Sequence, residues 1–260
     1  GYGEFSIEVV LIVCLMKALF PNNVYLVRGD NEFSKSCISN GFRDELIMKY
    51  DQCNLFPLFM KSFSMIPFAA VINRKAFCVS GGIGKSVIDL ESIKLIKRPI
   101  IAITDQTVME LLVSDPTDVL PMFLPASRGE GNLFGTEACN QFLRDTELSI
   151  IIRGRQIVPT GFEMKFNNQL ISLCSADGIE KDNKSGVVLF GPLSNRGENF
   201  DCLPQIKRTE INYIASISDE KWEVQKTSSF NDTPNLLTSE YYSKNSGLRL
   251  STLTVGTANI

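Results

Sequence analysis

The 260-residue chain contains no histidine. Imidazole is the side chain whose ordinary pKa lies near neutrality, and it is a common ligand of catalytic metals. Its absence excludes Ser-His-Asp triads, Cys-His dyads and most hydrolytic metal centres. A long membrane-type run is lacking too. The most apolar stretch, FSIEVVLIVCLMKALF at residues 5–20, is about sixteen residues long and carries Glu8 and Lys17, whereas a span needs about twenty apolar residues. Its charge layout is not that of a signal sequence, so a buried helix ended by Pro21 is expected. There is no basic excess: the formal net charge is −3, which speaks against a nucleic-acid partner. No two of the seven cysteines form a CxxC pair. They read as reduced, mostly buried thiols of an intracellular protein, cytoplasmic or nuclear, with neither the spacing nor the histidines of a zinc site.

What is present suits a globular domain with a real core: 44% hydrophobic and 21% charged residues. NVYLV, ending before Arg28, reads as a short strand. Residues 41–50 and 54–66 carry helical periodicity. AAVI and AFCV, on either side of Asn73, Arg74 and Lys75, read as a hairpin. Residues 135–146 read as a helix, followed by the β-rich runs LSIII, GFEMKF, QLISLC and GVVLF. Helices before a strand-rich second half point to a layered α/β sandwich. Residues 209–260, with eight Ser and seven Thr, read as a weakly ordered tail in which Trp222, Tyr241 and Tyr242 are the bulky anchors. VSGGIGKS at residues 79–86 imitates a phosphate-binding loop, with Gly84, Lys85 and Ser86 in place, and the run IIAITD imitates the strand that would bind magnesium. Val79 stands where that loop needs its first glycine, so the motif is set aside.

A series of segments gives a more specific reading. In order they are SIEVV at residues 6–10, PNNVYLVRGDNE at 21–32, GFRDELIMKY at 41–50, and IPFAAVINRKAFCVSGGI at 66–83. LLVSDP follows at 111–116, then SRGEGNLFG at 127–135, LSIIIRGRQIVPTGFE at 148–163 and LISLCSADGI at 170–179. Taken together they resemble the PPP serine/threonine protein phosphatases, the type 1, type 2A and calcineurin group, over about residues 1–208. The resemblance implies an α/β fold: a metallophosphatase-like αββα sandwich of mixed sheets over residues 1–208, without the family's N-terminal strands, followed by the tail.

In that family two metal ions, such as manganese, iron or zinc, activate a bridging water for attack on phosphorus. A histidine protonates the leaving oxygen, and arginines clamp the phosphate. The metal-ligand asparagine aligns with Asp30 and the catalytic histidine with Asn31. The two later ligand histidines align with Ser80 and Arg155, and the active-site tyrosine with Ile179. Only a phosphate-clamping arginine persists, as Arg128, which reads equally as the structural partner of a nearby carboxylate. Arg28, Gly29, Glu32, Gly81, Gly82, Arg153 and Gln156 persist around the altered positions. The resemblance therefore implies a retained scaffold with no intact catalytic set, no metal ligands and no cofactor. The expected function is a pseudophosphatase that binds protein partners or phosphoproteins, with neither nucleic acid nor membrane as partner. The alternatives are a serine/threonine phosphatase whose centre is hidden by a fragmentary sequence, and a product that does not fold. A last expectation is an ion pair between Arg155 and Asp30.

Overall fold

The computed structural model describes residues 5–50, 54–176, 179–180 and 183–188. The expected tail lies outside them. Four helices come first: α1 (Ser6–Leu19), α2 (Ser34–Ser39), α3 (Phe42–Tyr50) and α4 (Leu55–Ser64). Ile7, Cys37, Phe42, Leu46 and Phe63 close a core between them. The aromatic spacing within α4 places Phe59 and Phe63 on one face, and both pack on Phe42, Phe59 edge-to-face at 5.3 Å between centroids.

The expected hairpin forms as β1 (Ala69–Ile72) and β2 (Ala76–Val79), turned by Asn73 and Arg74 in left-handed conformation. α5 (Leu90–Lys94) and α6 (Gln106–Val113) follow, and each begins at an aspartate. The carboxylates of Asp89 and Asp105 accept hydrogen bonds from the backbone N–H groups of Ser92 and Val108, taking up otherwise orphaned donors of the first turn. α7 (Thr136–Asp145) leads into β6 (Ile150–Arg153), and the chain continues through β7 (Phe162–Lys165) and β8 (Leu170–Leu173).

The main sheet is mixed, in the order β1-β2-β6-β8-β7, with β2, β6 and β8 parallel and the outer pairs antiparallel. Alternation along β6 decides which side each residue serves. Ile151 enters the large core with Leu111, Leu112, Phe134, Ala138 and Phe142. Ile150 and Ile152 face the other way, against Ala76 and Ile171. A second mixed sheet joins β3 (Asp115–Pro116), β5 (Asn132–Phe134) and β4 (Phe123–Pro125) in that order. Its strands are two or three residues long, too short to leave a periodic trace in the sequence.

Several expectations are corrected. NVYLV forms no ladder among the described residues: Asn23 and Val24 N–H turn back to Phe20 O, and the following Arg28 N–H donates to Pro67 O at 2.7 Å. A strand is defined by its partner, and propensity without one does not make a sheet. IIAITD, part of the imitation set aside above, forms no strand, and its Asp105 caps α6. α1 forms where expected but is not a buried helix. Only Ser6 and Ile7 are buried, while Phe5, Val9, Ile12, Leu15 and Leu19 are exposed. An apolar surface all round a helix cannot be covered by packing on one side. No helix of the described residues is long and apolar enough to cross a membrane. In GVVLF, residues 186–188 form no strand, and the rest lies outside the described residues.

Candidate functional site

Three of the altered positions, Asp30, Ser80 and Arg155, lie at the carboxyl end of the main sheet. β2 ends at Val79 and gives way to Ser80, Gly81 and Gly82. A Cβ on Gly81 would come within 2.5 Å of the Leu112 backbone, and one on Gly82 within 2.3 Å of the Phe134 ring. Only glycine lets this loop lie so close to α6 and β5. Gly154 N–H, just past β6, donates to Ser80 O at 3.1 Å, tying the two parallel strand ends together. Across from them, Gly29 leads into a 3-10 turn, Asp30–Glu32, and Gly29 N–H donates to the Glu32 carboxylate at 2.8 Å. Arg28 beneath the turn is buried. It donates to Ile100 O and Glu32 O, and its guanidinium lies 3.6 Å from the centre of the Phe33 ring. Burial lowers its pKa to about 10.

At the centre stands Asp115, whose two oxygens receive three arginines. Arg153 Nη2 donates to Oδ1 at 2.7 Å and Arg128 Nη1 to Oδ2 at 2.8 Å; Arg155 Nη1 reaches both, at 3.2 and 3.1 Å. Arg155 Nε also donates to Asp30 Oδ2 at 3.3 Å. Arg128 is held further by Glu130 O and Val113 O. Arg153 is held by Gly81 O and Gln156 Oε1. The Arg153 side chain is fully buried, whereas those of Arg155, Asp30 and Arg128 are 19%, 29% and 37% exposed. The cluster thus runs from a dry end at Arg153 to an open end at Arg128. Burial lowers the pKa of Arg153 to about 10, against the opposing pull of Asp115, and it remains a cation at neutral pH. Three guanidiniums against two carboxylates leave one positive charge in excess.

Of the positions singled out in the sequence, Asp30, Arg128 and Arg155 come together here. Ser80 follows β2 and sits next to Gly29, with its hydroxyl 3.4 Å from where a Cβ on that glycine would be. Asn31 turns to Asn40, whose Nδ2 donates to its Oδ1 at 2.7 Å. Ile179 is 38% exposed in a bend, and its alkyl side chain has nothing to donate to a phosphate. The residue that sequence reasoning missed is Asp115, which joins the arginines. Its signal was a carboxylate set directly after the apolar run LLVS. Arg155 adopts φ of 72°, a left-handed conformation uncommon outside glycine, asparagine and aspartate.

Comparisons with known proteins bear on this arrangement. The sequence profile of a metallophosphatase family, the calcineurin-like phosphoesterases, matches residues 1–154. The serine/threonine-protein phosphatase 4 catalytic subunit of Kluyveromyces lactis is 32% identical over 225 residues, covering 82% of this chain and 73% of the relative. The serine/threonine-protein phosphatase 6 catalytic subunit of Caenorhabditis elegans is 30% identical over 174 residues, covering 67% of this chain and 53% of the relative. A solved protein serine/threonine phosphatase of Saccharomyces cerevisiae, described as similar to human phosphatase PP5, superimposes with a TM-score of 0.67 at 31% identity. That match covers 71% of this chain and 58% of the other. The α/β fold of mixed sheets is therefore the metallophosphatase fold.

The metallophosphatase match also corrects the expectation of no cofactor: metal ions are what this family works with. That expectation leaned on the missing histidines, yet carboxylate and carbonyl oxygens suffice for hard divalent cations. The described residues fit such ions only in part. Asp30 and Asp115 are the carboxylates at the centre, both engaged by Arg155. No group of three or more metal-ligating side chains converges among the described residues.

Proposed function

The chain belongs to the calcineurin-like phosphoesterase family, and from that premise we propose that it is a non-catalytic relative of the serine/threonine protein phosphatases that binds phosphoproteins or regulatory proteins. One observation carries this reading: with no histidine in the chain, the position matching the family's general acid is Asn31. A carboxamide has no proton to give at neutral pH. Its oxygen is already engaged as an acceptor from Asn40. Losing a general acid typically lowers the rate by ~10²–10⁴. Around it the scaffold persists, and the open end of the arginine cluster offers guanidinium donors that suit a phosphate. Residues 1–208 form the phosphatase-like unit in this reading. An intracellular setting, cytoplasm or nucleus, agrees with the five described cysteines being free thiols.

The likeness to two phosphatase catalytic subunits favours a second reading, a working phosphoester hydrolase. Turnover separates the two. Purified chain is incubated with manganese and a generic phosphate ester, alongside an Arg128→Ala variant. The first reading expects no release of phosphate above the protein-free control. Metal-dependent hydrolysis that disappears in Arg128→Ala overturns it in favour of the second.

A further inference from the structure

We propose that Arg155 is a phosphate-capturing residue, held in waiting by Asp30 and Asp115 and released to a phosphate monoester or free phosphate that enters beside Arg128. This deepens, and rests on, the reading of the site as one that binds phosphoproteins. The argument starts from the oversubscription of Asp115. One carboxylate serves three arginines, and the distances rank them. Arg153 and Arg128 hold it at 2.7 and 2.8 Å, within the range of about 2.7–2.9 Å of strong charge-assisted bonds. Every contact of Arg155 with Asp115 or Asp30 is longer, from 3.1 to 3.3 Å. Arg155 is therefore the guanidinium that a competing anion displaces most readily.

Position and charge agree. Arg155 and Arg128 both reach the same oxygen, Asp115 Oδ2, so their guanidiniums lie side by side and both are partly open to solvent. Arg153 is fully enclosed and keeps Asp115 in place. Two flanking guanidiniums suit the several oxygens and the double charge of a phosphate. The fork of Arg155, once released, can give two parallel hydrogen bonds, while Arg128, whose nitrogens donate to Glu130 O, Asp115 and Val113 O, adds its charge and remaining N–H groups. The cluster's positive excess grows when Asp30 swings away, and Asp30, 29% exposed, has water to turn to. The left-handed backbone of Arg155 fits a residue held in place by its surroundings for a task.

The test uses the full chain and titration calorimetry with two probes: inorganic phosphate, and a phosphoserine peptide set against its unphosphorylated form. Binding of either phosphate probe, together with at least about a tenfold loss in Arg155→Ala, is expected. Arg155→Lys keeps the charge but not the fork and should recover little. Asp30→Asn removes a competing carboxylate and should tighten binding about three- to tenfold, a gain that misfolding cannot imitate. Which probe binds tells whether the source is a phosphoprotein or free phosphate. The proposal is overturned if neither probe binds, if Arg155→Ala binds as the parent does, or if Asp30→Asn leaves affinity unchanged or weaker. Hydrolysis of the phosphoserine peptide would overturn the non-catalytic reading alone, since the order of affinities among these variants does not depend on it.

Discussion

Removing the Asp115 carboxylate should be the most damaging single change at the site, and its size follows from the contacts. Asp115→Asn keeps the shape but leaves Arg153, whose side chain has no exposed surface, without its counter-charge. Breaking a buried pair from one side costs about 3–5 kcal/mol, because the remaining charge stays away from water. Gly81 O and Gln156 Oε1 still accept from Arg153, which favours the lower end. Asp30→Ala also removes an arginine's partner, but its bond is 3.3 Å long and both side chains are partly wet. About 0.2–1 kcal/mol is expected there. Urea unfolding followed by circular dichroism measures both. With an m-value of about 2 kcal/mol/M, Asp115→Asn should lower the midpoint by about 1.5–2.5 M and Asp30→Ala by under about 0.5 M. Adding Arg153→Met to Asp115→Asn should restore part of the loss, since the stranded charge goes with it. The reasoning fails if Asp115→Asn lies within about 1 kcal/mol of the parent, or if the two single variants lose equal stability.

Three further outcomes are expected. Glu110 is buried and accepts from Ser86 N–H at 2.8 Å, Asn132 Nδ2 at 2.7 Å and Gln106 Nε2 at 3.1 Å. Glu110→Ala strands these donors and should cost more than about 2 kcal/mol in the same unfolding assay. Burial raises the thiol pKa of Cys78 and Cys139 from 9.0 to about 12 and that of Cys37 to about 11. The unfolded chain therefore loses these protons first, so the thiols' contribution is full below pH 9 and is lost as pH rises towards 11–12. A melting temperature falling between pH 9 and 10, and falling less in a Cys139→Ala variant, checks this before Arg28 and Arg153, with pKa lowered to about 10, begin to oppose it. Gly82→Ala drives a methyl into the Phe134 ring and should cost about 1–3 kcal/mol, with Phe134→Leu in the same chain recovering part of it.

The sequence made the elements legible wherever a run was long and its pattern strong. The hairpin around Asn73, the helix before Thr146 and the β-rich runs LSIII, GFEMKF and QLISLC appear within a residue or two of where their patterns place them. The convergence of Asp30 with Arg155, 125 residues apart, was legible only through the resemblance. No local pattern speaks across such a distance. The role of Asp115 was not legible, because its partners Arg153 and Arg155 lie 38 and 40 residues away and its own neighbourhood reads as the end of a helix. Strand propensity misled at NVYLV, where the residues are right and the partner strand is absent among the described residues. The exposure of α1 escaped for a similar reason: apolar content reports what a helix would bury, and geometry decides what it does bury.

The parallel pairing of β2 with β6 has a consequence in time. Ala76 lies opposite Ile150, so the middle of the main sheet must wait for a part of the chain made much later. A ribosome adding about 5–20 residues per second takes several seconds to bridge that interval. Until then the β1–β2 hairpin offers a bare edge, with Phe77 and its neighbours uncovered. Such long-range closure slows folding and leaves the nascent hairpin exposed to wrong pairing. Substitutions that speed up or stabilise α7 and β6 should therefore raise the yield of folded protein from a cell more than they raise its melting temperature.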